Sequence, residues 1–426
     1  MSASLYRAFG GAPRGRALAA LRHRNFRSYM PGQALSMVGT AMLGVSIAWL
    51  VYVRTGSALW VGIAITLQYL PLAAGRPFAR LLLSTVSQRR LLLGTQTLFC
   101  CIAAALLLVV GIQEERVKVW SLLLFSLLWG AVQATDTPVR QAFLVDLVGR
   151  RDLTYAMSLV ASIWNLASLA GAAAAGLLLF WGAPWTCFLG VLVATLAGVA
   201  SLLLISDPPV VVAGDRTWPA TPPWRSLLGR GWSGPVVGLI VIGCAFSALG
   251  MNRLTLLPSL FAGRLDSGAL GFGVGVAAVG AGAALAAAAL LWLGRPAIRH
   301  SLLWPGLCWA LVTALVGWSA WWPLTLLALM VTGATQTWLL AVVAQRLFEA
   351  VGDRDRGPVM TLYARCAIAT NCVGPLQAGI LASALDVRLT LTVDAALLVA
   401  VTLAVGIGFR SHPLSQSDRE TSTAAR

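Results

Sequence analysis

Two short stretches that lie 203 residues apart decide the interpretation of this sequence: Asp146-Leu-Val-Gly-Arg-Arg-Asp152 and Glu349-Ala-Val-Gly-Asp-Arg-Asp355. At this offset a valine, a glycine, an arginine and an aspartate coincide. The register continues through Met157/Met360, Leu159/Leu362, Gly171/Gly374 and Gly176/Gly379. A second, shorter repeat pairs Ala58, Leu59 and Gly62 with Ala269, Leu270 and Gly273. Coincident charged residues and glycines argue against chance similarity between apolar stretches. We therefore predict one structural unit that is present twice.

The composition places this unit in a membrane. Of the 426 residues, 58% are hydrophobic and only 11% are charged, and the mean hydropathy is +0.81. Soluble proteins are usually about one quarter charged, and a single soluble core of this size cannot bury so much apolar surface. A soluble enzyme, a disordered protein and a nucleic-acid-binding domain are therefore excluded, although the formal net charge is +16.

Metal and cofactor signals are missing from the sequence. The seven cysteines all fall in apolar runs without a Cys-x-x-Cys pair, which favours neither a disulfide framework nor a zinc site. No Gly-x-x-x-x-Gly-Lys phosphate-binding loop occurs, so ATP is not the expected energy source. We expect no enzyme activity, no metal and no cofactor.

Apolar runs long enough to cross a bilayer, which takes roughly 20 residues each, occur twelve times. The predicted spans are 29–53, 59–82, 91–111, 119–143, 155–180, 184–206, 234–261, 268–293, 302–320, 323–345, 358–384 and 388–409. They define a basic N-terminus at 1–28, a first bundle at 29–206, a proline-rich linker at 207–233, a second bundle at 234–409 and a tail at 410–426.

The basic residues predict the orientation. Of 31 arginines and lysines, 23 fall in loops on one side of the predicted membrane and five on the other. Because cytoplasmic loops carry the excess of basic residues, we expect both termini and the linker to be cytoplasmic. Two six-helix halves in parallel orientation are the architecture of major facilitator transporters, in which the substrate binds between the halves near the midplane and the halves rock to give alternating access.

Several motifs sharpen this interpretation. They are Leu21-Arg-His-Arg-Asn-Phe-Arg27 with Gly32-Gln33, Trp49-Leu-Val-Tyr52, Thr55-Gly-Ser-Ala58, Asp136-Thr-Pro-Val-Arg-Gln-Ala-Phe143 with Asp146-Leu-Val148, Arg356-Gly357 and Leu362-Tyr363. From about 21 to 409 the chain resembles the enterobactin-exporter branch of the major facilitator superfamily, which also contains macrolide-efflux relatives. The resemblance implies export of siderophores or drug-like molecules across the bacterial inner membrane, driven by the proton gradient. We expect a monomer.

One loop departs from the family. Between the second and third spans the superfamily usually has Gly-x-x-x-Asp-Arg followed by basic residues, whereas this chain has Arg80, Ser84 and Thr85 at those positions and keeps Arg89 and Arg90. The resemblance implies that this loop latches one state of the cycle. Either gating is rewired, or the protein no longer turns over quickly. The predicted gating residues are Arg80, Arg89, Arg90, Arg140 and Asp146.

Ionisable groups inside spans are costly and mark a transport pathway or a proton relay by default. Asp136 lies four residues before Arg140, on the same helical face, and Asp394 lies a few residues into the last span. Both are candidates for proton coupling. The alternatives are a structural pair for Asp136 and a position at the membrane interface for Asp394.

Arg253 and Arg365 have no carboxylate within their own helical turn. A guanidinium grips carboxylate or catecholate oxygens in a bidentate manner, so these two arginines predict an anionic substrate; snorkelling or pairing across the halves is the alternative. Neutral polar groups often hydrogen-bond across helices. Six lie within the predicted spans: Gln33, Gln68, Asn165, Gln336, Asn371 and Gln377. All of them except Gln377 are assigned to the predicted substrate site.

Three functions follow from these residues. The first is proton-coupled export of a siderophore or a similar anionic metabolite. The second is efflux of lipophilic drugs, which would use the carboxylates. The third, motivated by the altered loop, is a transporter-shaped partner or sensor that does not cycle. The expected partners are a small-molecule substrate, protons and the lipid bilayer, without nucleic acid.

Overall fold

The computed structural model describes residues 19–74, 87–113, 116–205, 232–293, 303–352 and 355–411. These ranges contain helices and no strand. Twelve helices carry the fold: α1 (Arg24–Thr55), α2 (Ala58–Ala74), α3 (Gln88–Gln113), α4 (Val119–Gly149), α5 (Tyr155–Trp181), α6 (Trp185–Leu203), α7 (Gly234–Ser259), α8 (Gly268–Leu293), α9 (Leu303–Trp318), α10 (Trp322–Glu349), α11 (Arg356–Leu385) and α12 (Val387–Ser411).

Ten of these helices are long and apolar enough to cross a membrane. The other two, α2 and α9, are shorter apolar helices within the described ranges. Large apolar side chains point outward, among them Ile112 at 79% and Leu311 at 72% exposed, as expected for surfaces that face lipid. The predicted twelve-span, all-α membrane fold is confirmed. Most of the basic terminus, most of the linker and most of the tail lie outside the described residues, and the predicted domain boundaries stay predictions.

The first copy of the repeated motif forms the joint between α4 and α5. Helical hydrogen bonding runs from Val119 to Trp181, but Gly149 breaks it with φ 70° and ψ 169°. Only glycine adopts such a positive φ without strain. The second copy lies at the corresponding place, where the backbone N–H of Arg356 donates to the Gly352 carbonyl oxygen at the start of α11.

Contacts within each half repeat in the same way. A Cβ atom added to Gly171 of α5 would lie 2.4 Å from the Val38 carbonyl oxygen of α1. One added to Gly374 of α11 would lie 2.2 Å from the Ala248 carbonyl oxygen of α7. The paired glycines therefore serve the same purpose in both halves, because each lets two helix backbones approach closely.

The contacts between the two halves repeat as well. A Cβ atom on Gly62 of α2 would lie 2.3 Å from the Pro375 carbonyl oxygen of α11, and one on Gly273 of α8 would lie 2.9 Å from the Ala172 carbonyl oxygen of α5. These two contacts are related by the offsets found in the sequence. The two bundles are pseudo-symmetric, with α2 against α11 and α5 against α8.

We define the termini side as the side where α1 begins and α12 ends, and the far side as the opposite one. The close contacts between the bundles lie on the far side or near the middle, including the bond from Thr66 Oγ1 to the Cys372 carbonyl oxygen at 3.0 Å and the stacking of Trp49 on Phe272. In the described part of the chain, α4 makes no extended contact with α10 or α11. The bundles are therefore closed against each other on the far side.

Candidate transport site

A network of buried polar side chains lies in the termini-side half of the first bundle. Asp136 of α4 is 3% exposed and accepts hydrogen bonds from Thr95 Oγ1 at 2.7 Å and Gln96 Nε2 at 3.1 Å, both on α3. Its other carboxylate oxygen accepts from Arg140 Nε at 3.0 Å and from Arg140 Nη2. The charge of Asp136 is therefore compensated from its own helix, as the four-residue spacing predicts.

The same network reaches α1. Ser36 Oγ donates to Gln96 Oε1 at 3.2 Å, and Tyr29 Oη donates to Gln33 Oε1 at 2.8 Å. Gln33 is buried among these groups rather than open to solvent. Its predicted contact with substrate therefore needs a different arrangement of the side chains around it, and its binding role stays a prediction.

The ion pair between Asp136 and Arg140 makes a stability prediction. Arg140→Leu is expected to lower the free energy of unfolding by about 3–5 kcal/mol, because it leaves a buried carboxylate without its cation. The double variant Asp136→Asn/Arg140→Leu removes both charges and is expected to recover most of this loss. Thermal unfolding of the purified protein in detergent measures both. Equal stability of the single variant and the unchanged protein would contradict a buried, mutually dependent pair.

A second network lies in the far-side half of the second bundle. Asp394 of α12 is 1% exposed and accepts hydrogen bonds from Asn252 Nδ2 at 2.7 Å and from Gln377 Nε2 at 3.1 Å. Asn252 Nδ2 also donates to Gln377 Oε1 at 3.0 Å, which closes a triangle across α7, α11 and α12. In the described part of the chain, Asp394 has amides and no cation among its hydrogen-bond partners.

Arg253 follows Asn252 on α7 and points to other neighbours. Its Nε donates to the Gly250 carbonyl oxygen at 3.0 Å, its Nη2 donates to Gln336 Oε1 on α10, and its guanidinium lies 5.8 Å from the ring centroid of Trp309. The side chain is 9% exposed, and its Nη1 has no hydrogen-bond partner within the described ranges. No carboxylate is among these contacts, so the second bundle holds a carboxylate and a guanidinium that do not neutralise each other directly.

The other predicted substrate residues are dispersed. Gln68 of α2, Asn165 of α5 and Asn371 of α11 are partly buried, and the Oδ1 atom of Asn371 has no hydrogen-bond partner within the described ranges. Arg365 is partly buried on α11 and has interaction partners. Among the predicted substrate residues, Arg253 and Gln336 are joined directly by a hydrogen bond.

The predicted gating residues lie on the termini side where they are described. Arg89 of α3 donates from Nη2 to the carbonyl oxygens of Leu202 and Leu203 at the end of α6, at 3.2 and 3.4 Å. Arg90 is exposed and Asp146 is partly buried. Arg80 and the altered positions Ser84 and Thr85 lie outside the described residues, so rewired gating stays a prediction.

Several members of these networks were missed by sequence reasoning. Asn252, Thr95, Gln96 and Tyr29 were not named as site residues, although Asn252 and Gln96 are visible as polar residues inside apolar runs. A polar residue within a span is the signal that could have found them. The partner of each one is not visible in the sequence, because it lies on a helix far away along the chain.

Two pseudo-symmetric helical bundles with polar groups buried between helices are the architecture of many secondary transporters. The sequence profile of the Major Facilitator Superfamily matches residues 29–303. The chain belongs to this superfamily and is a multi-pass membrane protein.

Among curated proteins, the chain is similar to Macrolide efflux protein A of Streptococcus pyogenes, with 23% identity over 191 residues. The match covers 45% of this chain and 46% of the relative, so the chain spans about half the length of the curated relatives it matches. The enterobactin-exporter branch stays a prediction.

Solved structures share the fold. A bacterial homologue of the human lysosomal transporter Spinster, in an inward-facing and unoccupied conformation, has a TM-score of 0.67 and 12% identity over 93% of this chain and 96% of that one. The nucleoside transporter NupG has a TM-score of 0.65 and 12% identity over 89% and 98%. Identity this low supports the fold alone.

Proposed function

We propose that the protein is a secondary active transporter that exports a siderophore or a similar anionic metabolite across the bacterial inner membrane, coupled to protons. In this proposal both termini are cytoplasmic, in agreement with the distribution of basic residues. The termini side is then the cytoplasmic side, and the far-side closure corresponds to a state that receives substrate from the cytoplasm.

The observation that carries the anionic substrate is the environment of Arg253. The Arg253 guanidinium is 9% exposed and is bonded to a neutral amide and a backbone carbonyl oxygen, with no carboxylate among these contacts. Intramembrane arginines usually pair or mark a pathway. A carboxylate or catecholate oxygen could replace the Gln336 amide oxygen and form a stronger, charge-assisted bond.

Arg253→Gln is expected to lower transport of an anionic substrate by about 10- to 100-fold, because hydrogen bonds to charged groups contribute roughly 1.5–3 kcal/mol. The measurement is uptake of a labelled catecholate siderophore into inside-out vesicles. Arg388→Gln is the matched control, since it removes the same kind of charge at the start of α12, on the far side. Equal transport by both variants would refute the substrate assignment, provided that the Arg253 variant is present in the membrane at the normal level.

Proton coupling is supported by Asp394, a buried carboxylate held only by amides in the described part of the chain. Such a group can gain and lose a proton without breaking an ion pair. Asp136 supports the proposal less, because Arg140 compensates its charge. We propose Asp394 as the coupling residue and Asp136 as part of a gate that depends on its ion pair.

Efflux of lipophilic compounds is the second candidate. It is supported by the relative that is named for macrolide efflux. Accumulation of a fluorescent lipophilic cation in cells, with and without an uncoupler, separates the two substrate classes. A non-cycling partner or sensor is the third candidate, and substrate flux in vesicles that collapses with the proton gradient would exclude it.

A further inference from the structure

A cavity of about 520 Å³ opens at the far-side corner of the first bundle, between the end of α1, the start of α2 and the start of α4. Its lining combines basic and aromatic side chains: Arg54, Trp60, Arg116, Lys118 and Trp120. These residues belong neither to the polar networks nor to the interface between the bundles.

The basic residues of the far side are concentrated at this corner, which the sequence does not predict. Five basic residues fall in the predicted far-side loops, and three of them line this one cavity. Arg116 and Lys118 are exposed, and Arg54 is partly buried. No carboxylate lines the cavity within the described ranges; Glu114 and Glu115 precede Arg116 and lie outside them.

Helix α4 adds to the attraction for an anion. Its 31 residues begin at Val119, beside Lys118, so the positive end of its dipole lies at the cavity. In its first turn the Ser121 backbone N–H already donates to the Lys118 carbonyl oxygen. Phosphate groups bind at such helix ends when basic side chains are also present. The cavity thus has two independent features that favour an anion, namely three basic side chains and a helix N-terminus.

The aromatic side chains place the cavity at the edge of the bilayer. Trp60 and Trp120 contact each other edge to face, with ring centroids 5.2 Å apart and an interplanar angle of 88°. Trp120 is 69% exposed, as expected for a tryptophan at the headgroup level. Leu124 and Leu128 follow at four-residue spacing and are 53% and 41% exposed. A stripe of apolar surface therefore leads from the cavity along α4 towards the membrane interior.

We propose that this cavity binds the headgroup of an anionic phospholipid. The phosphate lies among Arg54, Arg116 and Lys118, and an acyl chain lies along Trp120 and the leucines of α4. The apolar stripe is what distinguishes a lipid from a soluble phosphate, because a soluble anion gains nothing from it. The bound lipid joins the α1–α2 corner to the start of α4 and stabilises the first bundle.

The test uses the full-length protein in detergent and measures its thermal stability as phosphatidylglycerol or phosphatidylcholine is added. Phosphatidylglycerol is expected to raise the melting temperature of the unchanged protein, and phosphatidylcholine is not. In Arg116→Gln/Lys118→Gln, half-maximal stabilisation is expected to need about 30-fold more phosphatidylglycerol, since each basic residue near anionic headgroups contributes roughly a factor of five.

Arg264→Gln/Arg388→Gln is the matched control, because it removes the other two far-side charges and none of the cavity lining. It is expected to keep the full response. Equal loss in both double variants, or an equal response to phosphatidylcholine, would overturn the proposal. An equal response to glycerol phosphate would overturn it in favour of a soluble anion. If the first double variant does not fold, two other variants test the site. Arg116→Lys/Lys118→Arg keeps both charges and is expected to retain the stabilisation by phosphatidylglycerol. Trp120→Ala is expected to weaken it.

Discussion

Asp394→Asn is expected to abolish uphill transport while leaving downhill exchange of substrate within a few-fold of normal. The asparagine side chain has nearly the same shape. Its Oδ1 can accept from Gln377, but its Nδ2 replaces the oxygen that accepts from Asn252, so the Asn252 amide must turn over and accept through its own Oδ1, which has no hydrogen-bond partner within the described ranges. The introduced asparagine cannot exchange a proton. Because accumulation against a gradient requires coupling to the proton and simple exchange does not, the two measurements separate energy coupling from substrate binding.

The experiment is counterflow and gradient-driven transport in proteoliposomes over a range of external pH. The unchanged protein is expected to respond to the proton gradient, and the variant to be insensitive to pH. The charged residues on the described helices that pack against α12 are Arg253 of α7 and Arg356 and Arg365 of α11. None is a hydrogen-bond partner of Asp394, so the carboxylate is the group whose protonation is tested.

Asp386→Asn provides the control for this experiment. It makes the same chemical change at an exposed residue between α11 and α12, where the asparagine Oδ1 can still accept from the Val387 backbone N–H. The control is expected to transport normally. Normal uphill transport by Asp394→Asn would remove Asp394 from the coupling mechanism. Loss of both uphill transport and exchange would instead assign it a structural role.

Gly176→Val is expected to reduce transport by more than about 100-fold, because it blocks closure on the far side. A Cβ atom on Gly176 of α5 would lie 2.6 Å from the Gly273 Cα atom of α8. Backbone atoms cannot move aside as a flexible side chain can, and overpacking of a tight contact displaces backbones. The variant is therefore expected to populate a state in which α5 and α8 are separated on the far side.

Labelling of the native Cys372 thiol can detect this separation of α5 and α8, so no cysteine has to be introduced. Cys372 is 8% exposed, and its carbonyl oxygen accepts from Thr66 across the closed interface. In a background in which the other six cysteines are replaced, Cys372 is expected to react faster with a membrane-impermeant maleimide added from the far side when Gly176→Val is present. Gly44→Val is the control, since a Cβ atom on Gly44 meets nothing within 4 Å. Unchanged reactivity in Gly176→Val would show that the glycine contact does not hold the far side closed.

The repeat was predictable in detail, because glycine spacing is preserved where backbones must touch. The offset that pairs Gly171 with Gly374 predicted equivalent contacts, and these are observed against α1 and α7. Gly149 belongs to the repeated motif between the predicted spans 119–143 and 155–180, and the break in helical hydrogen bonding lies there. The pairing of Asp136 with Arg140 was predictable from spacing alone, since both residues belong to one helix.

The partners that the buried polar groups have on other helices were not predictable. Asp394 and Asn252 are 142 residues apart, and Thr95 and Asp136 are 41 apart. A spanning helix is apolar around most of its circumference, so its sequence does not reveal which face meets which neighbour. Gln33 illustrates the consequence, because it was assigned to a substrate site and lies buried among Tyr29 and its neighbours.

The sequence by itself determined the number of crossings, their grouping into two related bundles and the glycines at which helices meet. Segment length, hydropathy and repeated spacing can all be read along the chain. In a bilayer, an apolar segment of sufficient length forms a helix, because its backbone groups must hydrogen-bond within the segment. Only the tertiary structure decided that Asp394 is held by amides, that Arg253 has no carboxylate among its contacts within the described ranges, that the far side is closed, and that three basic residues converge on one cavity. Those outcomes depend on how helices distant in sequence rotate and pack against one another, which no local pattern specifies.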